Sequence, residues 1–171
     1  MSKIKTLISK RDLNKRIGEI ANEISKDFNK EPILIVCVLK GTTYFAVDLS
    51  KKIKDNKVEI DFMKISSYSG TTSTGKVNIK LDVNENIEGR NVIIVEDIID
   101  TGISLNYLYD HLIEKKPKSL KIAVLLDKKE RRVKDINVDY TGFVIEDKFV
   151  VGYGLDYDEQ YRNLDYIGYI E

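Results

Sequence analysis

Four apolar residues, Val92 to Val95, run directly into two adjacent carboxylates, Glu96 and Asp97, and then into Asp100, Thr101, Gly102 and Ser104. The apolar run reads as a buried strand that ends at Glu96-Asp97, and the residues from Leu105 to Ile113 as a helix after an intervening turn. A helix start carries free backbone N–H groups and the positive end of the helix dipole, so it attracts an anion such as a phosphate. Gly102 lets the backbone approach that anion closely, and the Thr101 and Ser104 hydroxyls can add hydrogen bonds. An Asp or Ser at such a position is more usually just an N-cap, and Thr-Gly a common turn. Glu96 and Asp97 tilt the balance, because two neighbouring carboxylates repel each other unless a cation or a row of hydroxyls faces them.

The elements that would hold this segment alternate between helix and strand. Leu13, Ile17, Ile20, Ala21 and Ile24 recur at helical spacing, which predicts an amphipathic helix over residues 10–28. Ile33 to Leu39 is a continuous apolar run, as expected of a strand covered on both faces. A helix from about Tyr44 to Lys54 follows the interruption at Lys40 to Thr43. Val58, Ile60 and Phe62 alternate with polar residues and predict a strand running toward Ile65. Ser66 to Lys76 is nearly all small, polar or glycine and reads as a mobile loop, with a short strand, Val77 to Leu81, after it. Leu120 to Leu126 and Asp139 to Ile145 are two more strands, Pro117 ends the helix before them, and the tyrosine- and glycine-rich tail from Glu146 loses periodicity. This order predicts an α/β fold: a mostly parallel twisted sheet flanked by helices, in a single domain over residues 1–171.

Composition narrows the chemistry. With 171 residues, 42% hydrophobic and 33% charged, the chain is of ordinary globular type. Twenty-eight basic residues balance 28 acidic ones, so no global field draws it to nucleic acid or an anionic membrane. One cysteine, Cys37, and one histidine, His111, exclude zinc clusters and internal disulfides and disfavour a histidine triad. Any metal should be a hard one held by oxygen. Cys37 is expected in a buried strand and His111 on an exposed helix face. No run approaches membrane-spanning length and the N-terminus lacks an apolar leader core, which points to a cytoplasmic protein.

Val-Glu-Asp-Ile-Ile-Asp-Thr-Gly at 95–102 resembles the phosphoribosyl-pyrophosphate signature of the type I purine phosphoribosyltransferases, in its bacterial hypoxanthine-guanine form. Four further elements, in order, share the likeness. Leu39-Lys40-Gly41 resembles the pyrophosphate loop, and Ser67-Tyr68 with Ser73-Thr74-Gly75 the flexible loop that closes over the site. Leu125-Leu126-Asp127-Lys128 resembles a strand end bearing a purine-contacting lysine. Asp147-Lys148-Phe149-Val150-Val151-Gly152-Tyr153-Gly154-Leu155-Asp156-Tyr157, followed by Arg162, resembles the base-binding hood, which would be formed largely by about 145–171.

The resemblance implies a type I phosphoribosyltransferase fold and a glycosyltransferase of purine salvage. Such an enzyme moves the 5-phosphoribosyl group from phosphoribosyl pyrophosphate to hypoxanthine or guanine, gives the nucleoside monophosphate and pyrophosphate, and uses Mg²⁺. It also implies the site. Asp100, Thr101, Gly102, Ile103 and Ser104 would cradle the 5′-phosphate, with Ile103 giving only its backbone N–H where the family often has lysine or asparagine. Glu96 and Asp97 would face the ribose hydroxyls or a magnesium ion, and Asp156 a second one. Lys40, Gly41 and Arg162 would bind pyrophosphate, with a cis peptide at Leu39-Lys40. Lys128, Phe149, Val150 and Asp156 would bind the purine, Asp100 would act as general base at its N7, and Ser67 and Tyr68 would lie in the closing loop. Homodimers or homotetramers are the family's usual assemblies.

Two other readings remain at this stage. A phosphoribosyl-pyrophosphate-binding regulator that binds nucleic acid wants a basic face, which the balanced charge does not supply. A flavodoxin-like or receiver-type phosphate-binding domain leaves residues 147–157 without a role.

Overall fold

The computed structural model describes residues 3–67 and 76–171, so Tyr68 and the Ser73-Thr74-Gly75 part of the loop lie outside the described residues. A six-stranded sheet forms the centre, in the order β4 (Val77–Leu81), β3 (Val58–Ser67), β2 (Ile33–Val38), β5 (Asn91–Ile99), β6 (Ser119–Asp127) and β7 (Tyr140–Val144). All neighbours pair in parallel except β3 and β4. Helices α1 (Lys10–Phe28) and α2 (Thr43–Lys52) cover one face and α3 (Ile103–Ile113) the other.

The continuous apolarity of β2 is explained by this layering. Successive strand residues point to opposite faces. Ile33, Ile35 and Cys37 enter the core shared with Leu13, Ile17 and Ile24 of α1, while Leu34, Val36 and Val38 enter the core shared with Leu105, Leu108 and Leu112 of α3. The Ser9 hydroxyl accepts from the Asp12 N–H at 3.1 Å and caps α1, whose other end closes on Asn29 in the left-handed conformation. Among the described residues no helix is long and apolar enough to cross a membrane.

Four expectations need correction. β5 does not stop at the carboxylates but runs to Ile99, because β6 keeps pairing with it through Glu96↔Val124, Ile98↔Leu126 and Ile99↔Asp127. Ser66 and Ser67 belong to β3 rather than to a loop, since they pair with Asn78 and Val77 of β4. The tail contains two further strands, β8 (Val150–Val151) and β9 (Ile167–Ile170); β9 joins β8 to β1 (Ile4–Ile8) in a separate antiparallel sheet, ordered β1-β9-β8. His111 is partly buried and bonds the Asp82 carboxylate at 2.8 Å, tying α3 to the chain just beyond β4.

Candidate active site

At the carboxyl end of β5, the turn Asp100–Gly102 hands the chain to α3. Gly102, not Asp100, is the N-cap, with φ 84° and ψ −2°. That left-handed geometry suits glycine, and a Cβ would also press on the Lys134 carbonyl oxygen and the Arg132 side chain, at 3.0 and 3.1 Å. The first helical backbone bond is Asn106 N–H to the Gly102 carbonyl at 2.9 Å. The N–H groups before it therefore lie at the open end of the helix, with only a long 3.4 Å contact from Ile103 N–H to the Thr101 hydroxyl. Thr101, Gly102 and Ser104 line a cavity of about 110 Å³ together with Glu96, Asp100 and Leu105. A recess of this size, walled by free amides and hydroxyls, suits a phosphate group.

The segment after β6 holds this turn in place. Val133 and Lys134 both donate their backbone N–H to the Thr101 carbonyl, at 2.9 and 3.0 Å. Arg132 packs beside Gly102 and pairs with the buried Asp127 carboxylate. Lys128 is buried despite its charge, and its ammonium donates to Asp147 Oδ1 at 3.3 Å. Arg131 donates from Nε to Asp100 Oδ1 at 2.5 Å and from Nη1 to Asp147 Oδ2 at 3.3 Å. Hydrogen bonds from Lys128 and then Arg131 hold the Asp147 carboxyl below the usual carboxylate range.

On the other side stands the turn after β2. The Leu39-Lys40 peptide is cis. Gly41 lies so close to the Asp97 carboxylate that a Cβ there would collide with it. Thr42, fully buried, donates its hydroxyl to Glu96 Oε1 at 3.2 Å. Burial pushes the carboxyls of both Glu96 and Asp97 up, and for Glu96 the charge of Asp97 adds to the effect; the charge of Arg162 offsets part of it at Asp97.

Arg162 donates to the Gly154 carbonyl at 2.7 Å and pairs with Asp156 at 3.3 Å and Glu159 at 3.0 Å. Glu159 also accepts from Lys40 Nζ at 3.1 Å, so one carboxylate joins the two cations that the resemblance assigned to pyrophosphate. Asp156 spends its second oxygen on the Glu159 N–H, at 2.9 Å. Phe149 is 55% exposed, so it is not a core residue; it meets Tyr157 edge to face at a 5.6 Å centroid distance. Val150 is buried in β8 beside it. Ser67 is the last residue of β3.

The fold thus brings Lys40, Gly41, Glu96, Asp97 and residues 100–104 together at the sheet's carboxyl edge, with Lys128, Asp156 and Arg162 joined to them by ion pairs and backbone contacts. Among the described residues, no three His, Cys, Asp or Glu side chains gather as a metal site. Glu96 and Asp97 nonetheless fit a magnesium ion: both are oxygen donors, neither has a cation paired to it among the described residues, and magnesium keeps several waters and substrate oxygens as ligands. Sequence reasoning missed Thr42, Arg131, Asp147 and Glu159. Asp147 opens the quoted hood motif without a role of its own and Glu159 lies two residues beyond it, but nothing in residue type marked their partners.

The phosphoribosyl transferase domain model matches residues 5–158. The chain belongs to the phosphoribosyl transferase family. Within that family, it is 49% identical over 168 residues to the hypoxanthine-guanine phosphoribosyltransferase of Streptococcus thermophilus, covering 98% of this chain and 93% of that protein. It is 48% identical over 168 residues to the bifunctional protein TilS/HprT of Listeria monocytogenes, and there it spans 98% of its own length but only 26% of the relative's. A crystal structure of a hypoxanthine-guanine phosphoribosyltransferase from Bacillus anthracis superposes with a TM-score of 0.95 at 50% identity, covering 99% of this chain and 100% of that one. This phosphoribosyl transferase has the type I fold of those neighbours, with its parallel sheet between helical layers.

Proposed function

We propose that this phosphoribosyl transferase moves the 5-phosphoribosyl group from phosphoribosyl pyrophosphate to a 6-oxopurine, hypoxanthine or guanine, and releases pyrophosphate. One observation carries the reading. A phosphate-sized recess at the start of α3 is walled in part by Glu96, the neighbour of Asp97, with the Thr42 turn bonded to Glu96 on one side and the Lys128 turn bonded to Ile99 on the other.

In this reading the amides and hydroxyls of residues 100–104 hold the 5′-phosphate, and Glu96 and Asp97 orient the ribose hydroxyls. The backbone of Lys40 and Gly41 and the guanidinium of Arg162 hold pyrophosphate, for which a planar fork is well suited. Phe149 stacks on the base, and the Val150 backbone and Asp156 read its edge. Lys128 donates to the purine O6. An amino group at that position would offer a donor to a donor, so adenine is rejected. Asp100 accepts the N7 proton as the ring nitrogen attacks ribose C1 and the bond to pyrophosphate breaks. Charge stabilisation and positioning supply the rate, since no side chain need form a covalent bond. Magnesium, held by Glu96 and Asp97 with Asp156 as the candidate for a second ion, would neutralise charge on the departing pyrophosphate. Ser67, the last residue of β3, and Tyr68 after it are the candidate cover over the site.

The test is nucleotide formation from phosphoribosyl pyrophosphate and Mg²⁺ with hypoxanthine, guanine, xanthine and adenine offered separately. Inosine or guanosine monophosphate should form rapidly while adenine stays inert. Folded protein that binds the sugar substrate yet converts none of the four bases would favour a regulator instead.

A further inference from the structure

We propose that Arg131 and Asp147 form a positioning bridge that sets the spacing between Asp100 and Lys128, and through them the fit of the purine edge. The inference rests on the proposed function and adds two residues to it. Asp100, Arg131, Asp147 and Lys128 form an unbroken chain of hydrogen bonds at 2.5, 3.3 and 3.3 Å. It joins the turn after β5, the short 3-10 helix Lys129–Arg131 and the segment between β7 and β8. Among the described residues these elements meet nowhere else through charged side chains.

The hydrogen-bonding capacity left over is informative. Asp147 has both oxygens engaged, Oδ1 by Lys128 and Oδ2 by Arg131. Asp100 is held through Oδ1 alone, which leaves Oδ2 to accept a proton. The Lys128 ammonium makes one side-chain bond among the described residues and has three protons, so donors remain. One open acceptor and one open donor, fixed relative to each other, complement the adjacent N7–H and O6 of a 6-oxopurine. Arg131 suits the task because Nε and Nη1 of one rigid plane reach two different carboxylates; a lysine is a single point charge and could hold only one of them well.

The bridge does little for the fold. The Asp100 and Arg131 side chains are 43% and 48% exposed, and exposed pairs of this kind stabilise proteins only slightly. Gly102 caps α3, so releasing Asp100 leaves the helix start intact. A positioning role therefore separates cleanly from a structural one.

Arg131→Met, Arg131→Lys and Asp147→Asn would be compared with the parent by steady-state kinetics and thermal unfolding. Arg131→Met and Asp147→Asn should lower kcat/KM for hypoxanthine on the order of 10²-fold, as misplacement by an ångström does. KM for phosphoribosyl pyrophosphate should hold in both, Tm should hold in Arg131→Met, and Arg131→Lys should recover part of the loss; Asp147→Asn, which leaves the buried Lys128 without its counter-charge, should lower Tm as well. In an Asp100→Asn background, Arg131→Met should add little, because the two residues act as one unit. Unchanged hypoxanthine kinetics in Arg131→Met would overturn the bridge, as would equal losses for both substrates with a lowered Tm. If the parent itself forms no nucleotide, the proposed function has failed; if the parent works, Asp100→Asn is impaired and Arg131→Met is not, only the bridge has failed.

Discussion

Two carboxylate pairs share one cleft and have opposite surroundings. Glu96 and Asp97 lie side by side at the end of β5, short of cationic partners, and burial raises both. Asp100 and Asp147 lie at the cleft's outer edge and share Arg131, and Asp147 has Lys128 as well. The first pair carries a repulsion that the charge of Arg162 offsets only in part, and ribose hydroxyls or a hard cation would relieve it further. The second pair is already compensated and so is fixed in place before substrate arrives. Unrelieved charge marks a part of the site suited to receive a cation or hydroxyls, and neutralised charge marks a part held in place in advance.

Removing the preorganised acceptor should have the largest effect. Asp100→Asn keeps shape and removes the proposed base, so kcat should fall by about 10²–10⁴-fold. KM for phosphoribosyl pyrophosphate should change little; equal damage to both would reduce Asp100 to a structural residue. Next comes Lys128→Ala, which removes the proposed donor to O6 and leaves Asp147 with Arg131 alone. Hypoxanthine kcat/KM should drop and discrimination against adenine, worth roughly 10⁴-fold at such polar sites, should erode. Unchanged purine kinetics would show that another group reads O6.

The waiting pair makes a contrary prediction. Glu96→Gln removes the repulsion and should raise Tm in metal-free buffer, by about 2–4 °C for each 1 kcal/mol relieved at this chain length. The same variant should lose activity. A lowered Tm would mean that the pair is compensated after all.

The smallest effect is at Cys37, whose thiol is pushed up to about 12, first by burial and then by the charges of Glu96 and Asp97. A raised thiol pKa keeps the sulfur protonated, so a thiol reagent should leave native protein unmodified at mildly alkaline pH and react once denaturant is added. Rapid labelling of native protein would mean that the strand beneath the pair is open to solvent.

The sequence was most legible where the pattern is local. Helix 10–28 and the two-faced burial of Ile33 to Val38 follow from periodicity, and the anion recess at 100–104 from a strand, a turn and a helix start. Contacts made by distant segments were not legible. β9 and β1 are far apart in sequence and both are short, and β9 lies among tyrosines and glycines, so neither announces itself. Residue type alone does not tell the cations Lys129, Arg131 and Arg132 apart, yet Arg132 pairs with buried Asp127 and Arg131 finds Asp147 in a later segment. The apolar alternation of Val58, Ile60 and Phe62 predicted a strand correctly, but Ile60 and Phe62 are 37% and 39% exposed, so the pattern gave the element and not its buried face.

The most direct test of the whole account is the stoichiometry of transfer. With hypoxanthine, phosphoribosyl pyrophosphate and Mg²⁺, inosine monophosphate and pyrophosphate should appear together in equal amounts, and both should vanish when Mg²⁺ is chelated or Asp100 is replaced by asparagine. Pyrophosphate released without nucleotide, or no turnover from folded protein, would contradict it.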